Sequence, residues 1–232
     1  MKTVITAKLK LHTAPEQFQA LRQTQLAYRD ALNAVSRSAF EQGKTSSVTR
    51  LHQGMYAELR TRYHLPSQLA CSVERQVAAT YKGLWTKLKK NAEHRRKKIT
   101  KKRFKGLDKP PKYHSPTVQY TYERDYTFQR DSRVSIGTLS GRISLPYQGY
   151  EKHIALILQG ASIGDAKLWY DRHKKQFSLL VSLEIGVPEP MPEHLNEVIG
   201  VRRGHSLPGR HIDLNEQGEL LSRETDTAPS QP

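Results

Sequence analysis

The sequence of 232 residues can hold one large domain or two small ones, and its formal net charge of +16 indicates an acidic partner. Its single cysteine, Cys71, excludes a disulfide framework within the chain and any zinc site built from several cysteines. No apolar run reaches the roughly 18 residues of a membrane span, and residues 1–11 alternate instead of forming a signal-peptide core. We therefore expect a cytoplasmic protein with no membrane partner.

The chain opens with a predicted strand and a long predicted helix. Apolar and polar residues alternate over residues 4–11, which is the period of a half-exposed strand. Thr13 and Glu16 have the capping-box spacing of a helix start, and Gly43 is a suitable end. Between them one helical stripe, at spacings of three and four, carries Phe18, Leu21, Gln25, Tyr28, Leu32, Val35 and Ala39.

Two further helices are predicted next. The second covers residues 48–63, and its apolar face carries Val48, Leu51, Met55 and Leu59. The third begins near Gln68, after a break at Pro66, and its apolar face carries Leu69, Val73, Val77, Tyr81, Leu84 and Leu88. Cys71 lies one turn from that face, and we expect it to be a buried structural thiol.

The third helix is expected to run into residues 87–105 and to end near residues 98–105. Eleven of these nineteen residues are Lys or Arg and one is an acid, Glu93, so the stretch contributes +10 of the net charge of +16. Such a concentration favours phosphate binding, because cations release counterions from a polyanion; a solvated linker is the alternative. The candidate cations are Lys87, Lys89, Lys90, Arg95, Arg96, Lys97, Lys98, Lys101, Lys102, Arg103 and Lys105.

After Pro110 and Pro111 the pattern changes to short strands. Alternation predicts strands at residues 118–122, 126–130, 134–138, 143–145, 166–171 and 177–185. The apolar run at residues 154–158 is interpreted as a strand buried on both faces. So many short strands predict a small antiparallel barrel, and the opening strand could close it and leave the helices as an insertion.

Aromatic and basic side chains are mixed at the start of this strand-rich segment. The further candidate binding residues there are Lys112, Tyr113, Tyr120, Tyr122 and Arg124. Aromatic rings can stack on bases while cations hold phosphates. Alternate residues of a strand face opposite sides, so the other interpretation is that half of these aromatics face the barrel core. Tyr120 and Tyr122 share one face and are expected to be both buried or both exposed.

The C-terminal part of the sequence is interpreted as a linker, one strand and a polar tail. Three prolines within residues 186–192 indicate the linker, and residues 198–201 predict the strand. The remainder is rich in Gln, Ser, Thr and Pro, and we expect it to be disordered.

The motif EVIGV at residues 197–201 completes a recognisable order: an opening strand, a helical segment, a basic run with aromatics, and a strand-rich segment. In this order the chain resembles, over residues 1–201, the N-terminal half of the TnpB (OrfB) family. These are transposon-encoded, RNA-guided DNA nucleases (putative transposases) related to type V CRISPR effectors. In that family a split barrel, the wedge domain, and a helical recognition domain hold the guide RNA and its duplex with DNA. The resemblance therefore implies guide-like RNA and DNA as partners, and no small-molecule substrate.

The resemblance also implies an organisation of the chain. The expected class is α+β, with a small antiparallel wedge-like or OB-like barrel, a helical insertion, a remnant nuclease strand and a disordered tail. The expected segments are the first barrel strand at 1–13, the recognition-like insertion at 14–100, the wedge-like barrel at 101–192, the start of a RuvC-like domain at 193–210 and the tail at 211–232.

The family continues the EVIGV strand with an aspartate that is the first metal-binding carboxylate of a RuvC-like nuclease site, which holds two divalent metals. This chain has Arg202 at that position, and a guanidinium cannot ligate a cation. The later catalytic carboxylates and the four-cysteine zinc element have no counterpart here. The resemblance implies divalent metal and zinc for the intact family, and for this chain no cofactor, no metal site, no catalytic residue and a truncated, nuclease-dead form.

A frameshift would explain the break in the pattern. With a free choice of synonymous codons, residues 202–211 can be encoded so that loss of the first nucleotide gives Asp-Val-Gly-Ile-Arg-Tyr-Leu-Ala-Val-Thr. That is the kind of sequence with which the family would continue. We therefore interpret the residues after Val201 as out-of-frame translation, a hypothesis that sequencing the gene can test.

Two other functions remain open at this stage. One is a DNA-binding repressor that uses an inactive nuclease scaffold, and the other is an unrelated basic RNA-binding protein of ribosomal type. Independent catalysis is disfavoured, because the sequence has no glycine-rich phosphate loop and no Gly-x-Ser-x-Gly elbow.

Overall fold

A computed structural model of the chain describes residues 2–115 and 117–186. Its elements are β1 (Lys2–Leu11), α1 (Pro15–Glu41), α2 (Val48–Thr61), α3 (Ser67–Arg96), β2 (Val118–Tyr120), β3 (Tyr126–Gln129), β4 (Arg133–Thr138), β5 (Gly141–Gly149), α4 (Glu151–Leu158), β6 (Ser162–Asp171) and β7 (Gln176–Gly186). The predicted linker beyond Gly186, the strand at 198–201, Arg202 and the tail lie outside the described residues.

The seven strands form one antiparallel sheet in the order β2-β6-β7-β1-β5-β4-β3. Its two end strands, β2 and β3, approach each other across the turn at residues 121–125, where Tyr122 and Tyr126 form an isolated bridge. The Tyr120 hydroxyl also donates to the Gly137 carbonyl at 2.9 Å, which links β2 to β4. The sheet is thus a nearly closed barrel, and the predicted small antiparallel barrel is confirmed.

The opening strand lies in the middle of the sheet. β1 pairs with β7 from Lys2 opposite Gly186 to Lys10 opposite Ser178, and it pairs with β5 at Leu9 opposite Gly149. The three long helices follow β1 and precede β2 in the chain. The prediction that the first strand completes the barrel, with the helices as an insertion, is therefore confirmed.

Helix α1 packs along the barrel, and the two parts share one hydrophobic core. The Phe18 ring lies 5.5 Å from that of Tyr170 and 5.1 Å from that of Phe177. The buried Gln25 amide donates to the Leu168 carbonyl of β6 at 3.3 Å. This bond satisfies a polar group inside the helix–sheet interface, where an unpaired amide would destabilise the fold.

The helices follow the predicted stripes, with corrections at their ends. On α1 every predicted stripe residue is buried except Phe18, which is half-buried. The helix begins one residue later than the capping pattern predicts: Ala14 is the N-cap, and the Gln17 side chain, not that of Glu16, accepts the Ala14 N–H at 3.0 Å. Gln at the third helical position provides the same acceptor as Glu, which explains the shift.

Helices α2 and α3 bury Leu51, Met55 and Leu59 and the first four predicted positions of the third helix, from Leu69 to Tyr81. Leu84 and Leu88 are only half-buried, and Val48 is exposed. Cys71 is also half-buried, so the prediction of a buried thiol is wrong. It lies at the edge of the contact between α2 and α3, where solvent still reaches one side.

The apolar run at residues 154–158 is helical, and the predicted buried strand is wrong. It belongs to α4, in which Ile157 is buried while Leu158 is 72% exposed. A short apolar run does not distinguish a strand from a helix by periodicity. Glu151 in the first turn favours the helix, because a carboxylate interacts favourably with the helix N-terminus.

Candidate nucleic-acid interface

Residues 87–105 form a folded arm with two sides, which we call the basic arm. The first side is the last three turns of α3, which ends at Arg96. The chain then reverses over residues 97–100 and returns over residues 101–105, which have no regular secondary structure. The cations on the helix and those on the returning segment are therefore held next to each other in space.

The reversal is a Schellman turn built around a lysine. Lys98 has a φ of 57°, its N–H donates to the Arg95 carbonyl at 3.1 Å, and the Ile99 N–H donates to the His94 carbonyl at 2.9 Å. These bonds satisfy carbonyls that a helix end leaves without partners. Glycine is the usual residue in this left-handed conformation, because it has no Cβ. Lys98 therefore has some backbone strain, and its side chain places a cation at the tip of the turn.

Asn91 fixes the returning segment to the helix. Its side-chain amide donates to the Lys102 carbonyl at 3.1 Å, and its carbonyl oxygen accepts the Phe104 N–H at 3.0 Å. One side chain thus satisfies a backbone donor and a backbone acceptor that no strand partner would reach. The basic arm therefore has a defined geometry. An irregular solvated linker would not need such contacts, so the geometry disfavours that alternative.

The cations of the basic arm point into solvent. All eleven Lys and Arg residues in it are exposed. Within the part of the chain that the structure describes, only Lys97 and Arg103 form ion pairs, with Glu93 at 2.6 Å and with Asp108 at 2.7 Å. The remaining nine cations have no acidic partner among the described residues, and their charge is available to an external anion.

The segment after the basic arm is anchored to the helices. Leu107 is buried in the core, and the Ser36 hydroxyl donates to the Pro111 carbonyl at 2.7 Å. Asn33 of α1 holds Tyr113 through both main-chain groups, at 3.0 Å and 2.8 Å. These contacts attach the base of the arm to α1 while the arm itself remains exposed.

The predicted aromatic binding residues have structural roles. The Tyr113 hydroxyl donates to the Thr80 hydroxyl at 2.8 Å, and its half-buried ring packs against the core. Tyr120 is fully buried in the barrel and offers no ring face to a base, so we correct its assignment to a core residue. Tyr122 is half-buried, with its ring 5.3 Å from that of Tyr126. Tyr120 and Tyr122 therefore share the inner side, as one of the two interpretations requires.

The two remaining predicted cations lie apart from the basic arm. Lys112 is exposed and lines a groove of about 440 Å³ between α1 and the anchored segment. Arg124 is exposed in the turn that closes the barrel, and its guanidinium donates to the Gln68 side chain at 3.4 Å. The sixteen predicted residues therefore do not form one continuous patch.

A buried acid lies in that same turn. The carboxylate of Asp125 accepts the Thr121 N–H at 2.8 Å, and the residue is 4% exposed. Burial raises the pKa of Asp125 to about 6, against the opposing effects of the Thr121 N–H and of Arg75 and Arg142. Its hydrogen bond lies within the closing turn, and the carboxyl group is buried beneath the surface.

A second groove of about 430 Å³ combines aromatic and cationic side chains that the sequence analysis does not select. Trp169 and Tyr170 of β6 line it together with Arg22 of α1. The Arg22 guanidinium lies 5.4 Å from the centre of the Tyr170 ring. The Lys8 ammonium, which does not line the groove, lies 4.8 Å from the centre of the Trp169 ring. No local sequence signal marks this groove, because its walls come from distant parts of the chain.

Comparisons with known proteins add no assignment: no protein-family model matches the chain, and no curated protein sequence is similar to it. No described helix is long and apolar enough to cross a membrane. The metals that the family resemblance implies would need a carboxylate where Arg202 stands, and that position lies outside the described residues. The site must therefore be judged from its own charges and contacts.

Proposed function

We propose that this protein binds nucleic acid, with structured RNA as its main partner and DNA as its second, as a nuclease-dead fragment of a TnpB-like protein. The observation that carries the proposal is the basic arm: nine exposed cations without acidic partners among the described residues, on a helix end and a returning segment joined by a capped turn. A polyanion is the partner favoured by so many cations in so small a region, because each phosphate contact releases counterions.

The composition of the basic arm indicates what it recognises. Its one aromatic residue, Phe104, is half-buried, and Ile99 is its one exposed large apolar residue. The arm can therefore contact phosphates but has no exposed ring on which bases would stack. Phosphate contacts fix position and carry no direct sequence information. This favours the backbone of a folded RNA or of a duplex over bases of a single strand.

The architecture supports the same proposal. A small antiparallel barrel with a helical insertion between its first and second strands agrees with the split barrel and helical insertion that the family resemblance implies. In this proposal the basic arm contacts the phosphates of a guide-like RNA. The family resemblance suggests a guide-like RNA as the partner, and the exposed charges of the basic arm supply the physical reason for binding.

The test of phosphate contact is the salt dependence of binding. We would replace six arm cations by Gln: Lys89, Lys90, Arg95, Arg96, Lys101 and Lys102. All are exposed, and none forms an ion pair within the described residues. Each phosphate contact contributes about −0.9 to the slope of log K against log salt for duplex DNA and about −0.7 for single strands. If about half of the six contact phosphate, the slope becomes shallower by roughly two to three units.

The control removes equal charge elsewhere. The control residues are exposed and lie on other helices, strands or turns: Lys10, Arg50, Arg130, Lys152, Lys167 and Lys174. Their replacement by Gln changes the net charge equally and should change the slope by less than one unit. Equal slopes in the two six-fold variants, with both folds intact by circular dichroism, would refute a localised phosphate site.

Sequencing of co-purified RNA separates the candidate functions. A TnpB-like fragment should retain one structured transcript from a transposon end. A ribosomal-type protein should retain structured RNA without that dependence, and a repressor on a dead nuclease scaffold should retain DNA. Recovery of ribosomal RNA alone, at stoichiometric amounts, would contradict the transposon proposal while leaving RNA binding intact.

We further propose that the chain has no divalent-metal-dependent nuclease activity. Arg202 in place of the carboxylate would repel a metal, and Arg202→Asp alone should restore nothing, because two metals need further ligands. Purified chain incubated with DNA and Mg²⁺ or Mn²⁺ should leave the substrate intact. Cleavage that EDTA abolishes, and that persists after repeated purification, would overturn this proposal.

A further inference from the structure

One cluster of potential metal ligands lies between α2 and α3, away from the basic arm. It consists of His52 from α2 and of Cys71 and Glu74, which are one turn apart on α3. A ring nitrogen of His52, Sγ of Cys71 and a carboxylate oxygen of Glu74 all lie within 4.8 Å of one another. Among the residues that the structure describes, no other group of three or more such side chains has this proximity.

The carboxylate of Glu74 provides a second, independent observation. The side chain is 1% exposed, and its Oε2 lies 2.8 Å from Nδ1 of His52. Its other oxygen, Oε1, is buried and has no hydrogen-bond partner among the described residues. Buried carboxylate oxygens without partners are rare, because the lost hydration is not replaced. A bound cation would satisfy this oxygen.

We propose that His52, Cys71 and Glu74 form a binding site for a divalent cation of the zinc type. Imidazole nitrogen, thiolate sulfur and carboxylate oxygen are the three ligand types that Zn²⁺ uses in proteins. Three protein ligands leave a fourth tetrahedral position for water, and His52, whose side chain is 46% exposed, opens the site to solvent on one side. Hard cations such as Mg²⁺ would not select a thiolate.

The present distances allow this coordination after small movements. Bond lengths of about 2.0 to 2.3 Å around a tetrahedral zinc separate ligand atoms by roughly 3.3 to 3.8 Å. The 2.8 Å contact between His52 and Glu74 must widen by about half an ångström, and the longest separation, 4.8 Å at most, must shorten by about one. Side-chain rotation alone can provide both changes, because the three residues lie on two helices that already pack together.

The charges around the cluster also suit a dication. A thiolate and a carboxylate together neutralise Zn²⁺, and the thiol proton is released to solvent when the metal binds. Arg75 favours both anions: its guanidinium donates to the Cys71 carbonyl at 3.3 Å and to the Ser72 hydroxyl at 3.4 Å. Arg75 is held there by these bonds and is not placed between the ligands. Metal binding would join α2 to the buried part of α3.

The experiment uses the full chain, freed of metal with a chelator and kept reduced, and titrated with Co²⁺ and then Zn²⁺. Cys71 is the one cysteine in the sequence, so a sulfur-to-cobalt charge-transfer absorption can arise only from this site. We expect that absorption with one Co²⁺ per chain, its loss when Zn²⁺ displaces the cobalt, and a higher thermal midpoint with Zn²⁺ bound.

Three variants and one control identify the ligands. Cys71→Ser should abolish the charge-transfer absorption, and His52→Gln and Glu74→Gln should each weaken Zn²⁺ binding at least tenfold. Glu74→Gln keeps the shape of the buried group, and its metal-free circular dichroism shows whether the fold survives. The control His153→Gln, on α4, should bind Zn²⁺ like the parent chain.

Two results would overturn the proposal. One is a parent chain that shows no charge-transfer absorption with cobalt, which means that Cys71 does not ligate the metal. The other is Zn²⁺ binding that all three variants retain, which would place the metal elsewhere in the chain. Should the variants fail to fold, the cobalt spectrum of the parent chain still decides the question.

Discussion

The two halves of α3 differ in what covers them. All eight of its buried residues lie at or before Tyr81, in residues 67–81, which we call the packing half. In the arm half, residues 82–96, the apolar positions Leu84 and Leu88 continue the same stripe but are only half-buried, and the cations are exposed. A helix of 30 residues is about 45 Å long, whereas α2, with 14 residues, covers only about 21 Å of it.

The comparison shows that one periodic pattern can serve two purposes. In the packing half the stripe meets α1 and α2 and stabilises the fold. In the arm half the apolar stripe extends beyond the helices that pack against α3. The end of α3 therefore projects from the core and carries exposed cations. The proposed function depends on the arm half, and the stability of the fold depends on the packing half. The predictions below test this division, from the largest expected effect to the smallest.

Tyr81→Ala should break the packing half. The ring is fully buried, and the hydroxyl donates to the Ser36 carbonyl of α1 at 2.7 Å. Removal of a large buried aromatic lowers the free energy of unfolding by about 3 to 5 kcal/mol. Leu88→Ala in the arm half should cost about 1 kcal/mol or less, because that side chain is already half-exposed. Chemical denaturation measures both, and equal losses would contradict the division.

Asp125→Asn should change the pH dependence of the free energy of unfolding. Asp125 lies in the turn that closes the barrel, and its carboxyl group interacts electrostatically with Arg75 of the packing half. The pKa of Asp125 is raised by burial from 3.8 to about 6 in the folded protein, so the folded state binds the proton more tightly than the unfolded state. Stability contributed by protonation is therefore lost as pH rises from about 4 to about 6.

The Asn variant cannot ionise and should lack this decline, so near neutral pH it should be more stable than the parent chain by roughly 2 kcal/mol. Its side-chain oxygen can still accept the Thr121 N–H. Unfolding curves at about pH 4, 5, 6 and 7 test the prediction. Parallel pH profiles for the two proteins would show that Asp125 does not titrate in this range.

Asn91→Ala should loosen the basic arm without unfolding the rest. Loss of the two bonds to Lys102 and Phe104 removes about 1 kcal/mol and frees the returning segment. Trypsin should then cut at residues 101–105 several times faster, and RNA binding should weaken. Thr86→Ala is the control, since that hydroxyl donates only within the helix, to the Lys82 carbonyl. Unchanged cleavage in the Asn91 variant would mean that the return is held by other contacts.

Lys98→Gly should give the smallest effect, a gain of up to about 1 kcal/mol at the tip of the arm. Gly adopts the φ of 57° without the strain of a Cβ, and the two turn bonds remain. Slower amide hydrogen exchange at residues 98 and 99 measures it. The neighbouring change Lys97→Gly, at a φ of −78°, should bring no gain. Faster exchange in Lys98→Gly would show that the lysine itself stabilises the turn.

The cations of the candidate site could be predicted from the sequence, whereas the burial of its aromatic residues could not. The eleven cations of the basic arm are exposed because no element of the described chain covers the end of α3. The tyrosines at 113, 120 and 122 could face either side of their segments, because alternation defines two faces without naming the inner one. The groove around Trp169 and Arg22 combines residues that are far apart in sequence, and no local pattern could reveal it.

The sequence by itself determined the positions of most helices and strands and the site of greatest charge, because these depend on local periodicity and composition. Only the tertiary structure decided how the barrel closes, that residues 154–158 are helical, and that α3 extends beyond the helices that pack against it. It also brought His52 within 2.8 Å of Glu74, 22 residues away. Burial and ligand proximity depend on which elements meet in space, and that information is not contained in the spacing of residues along one element.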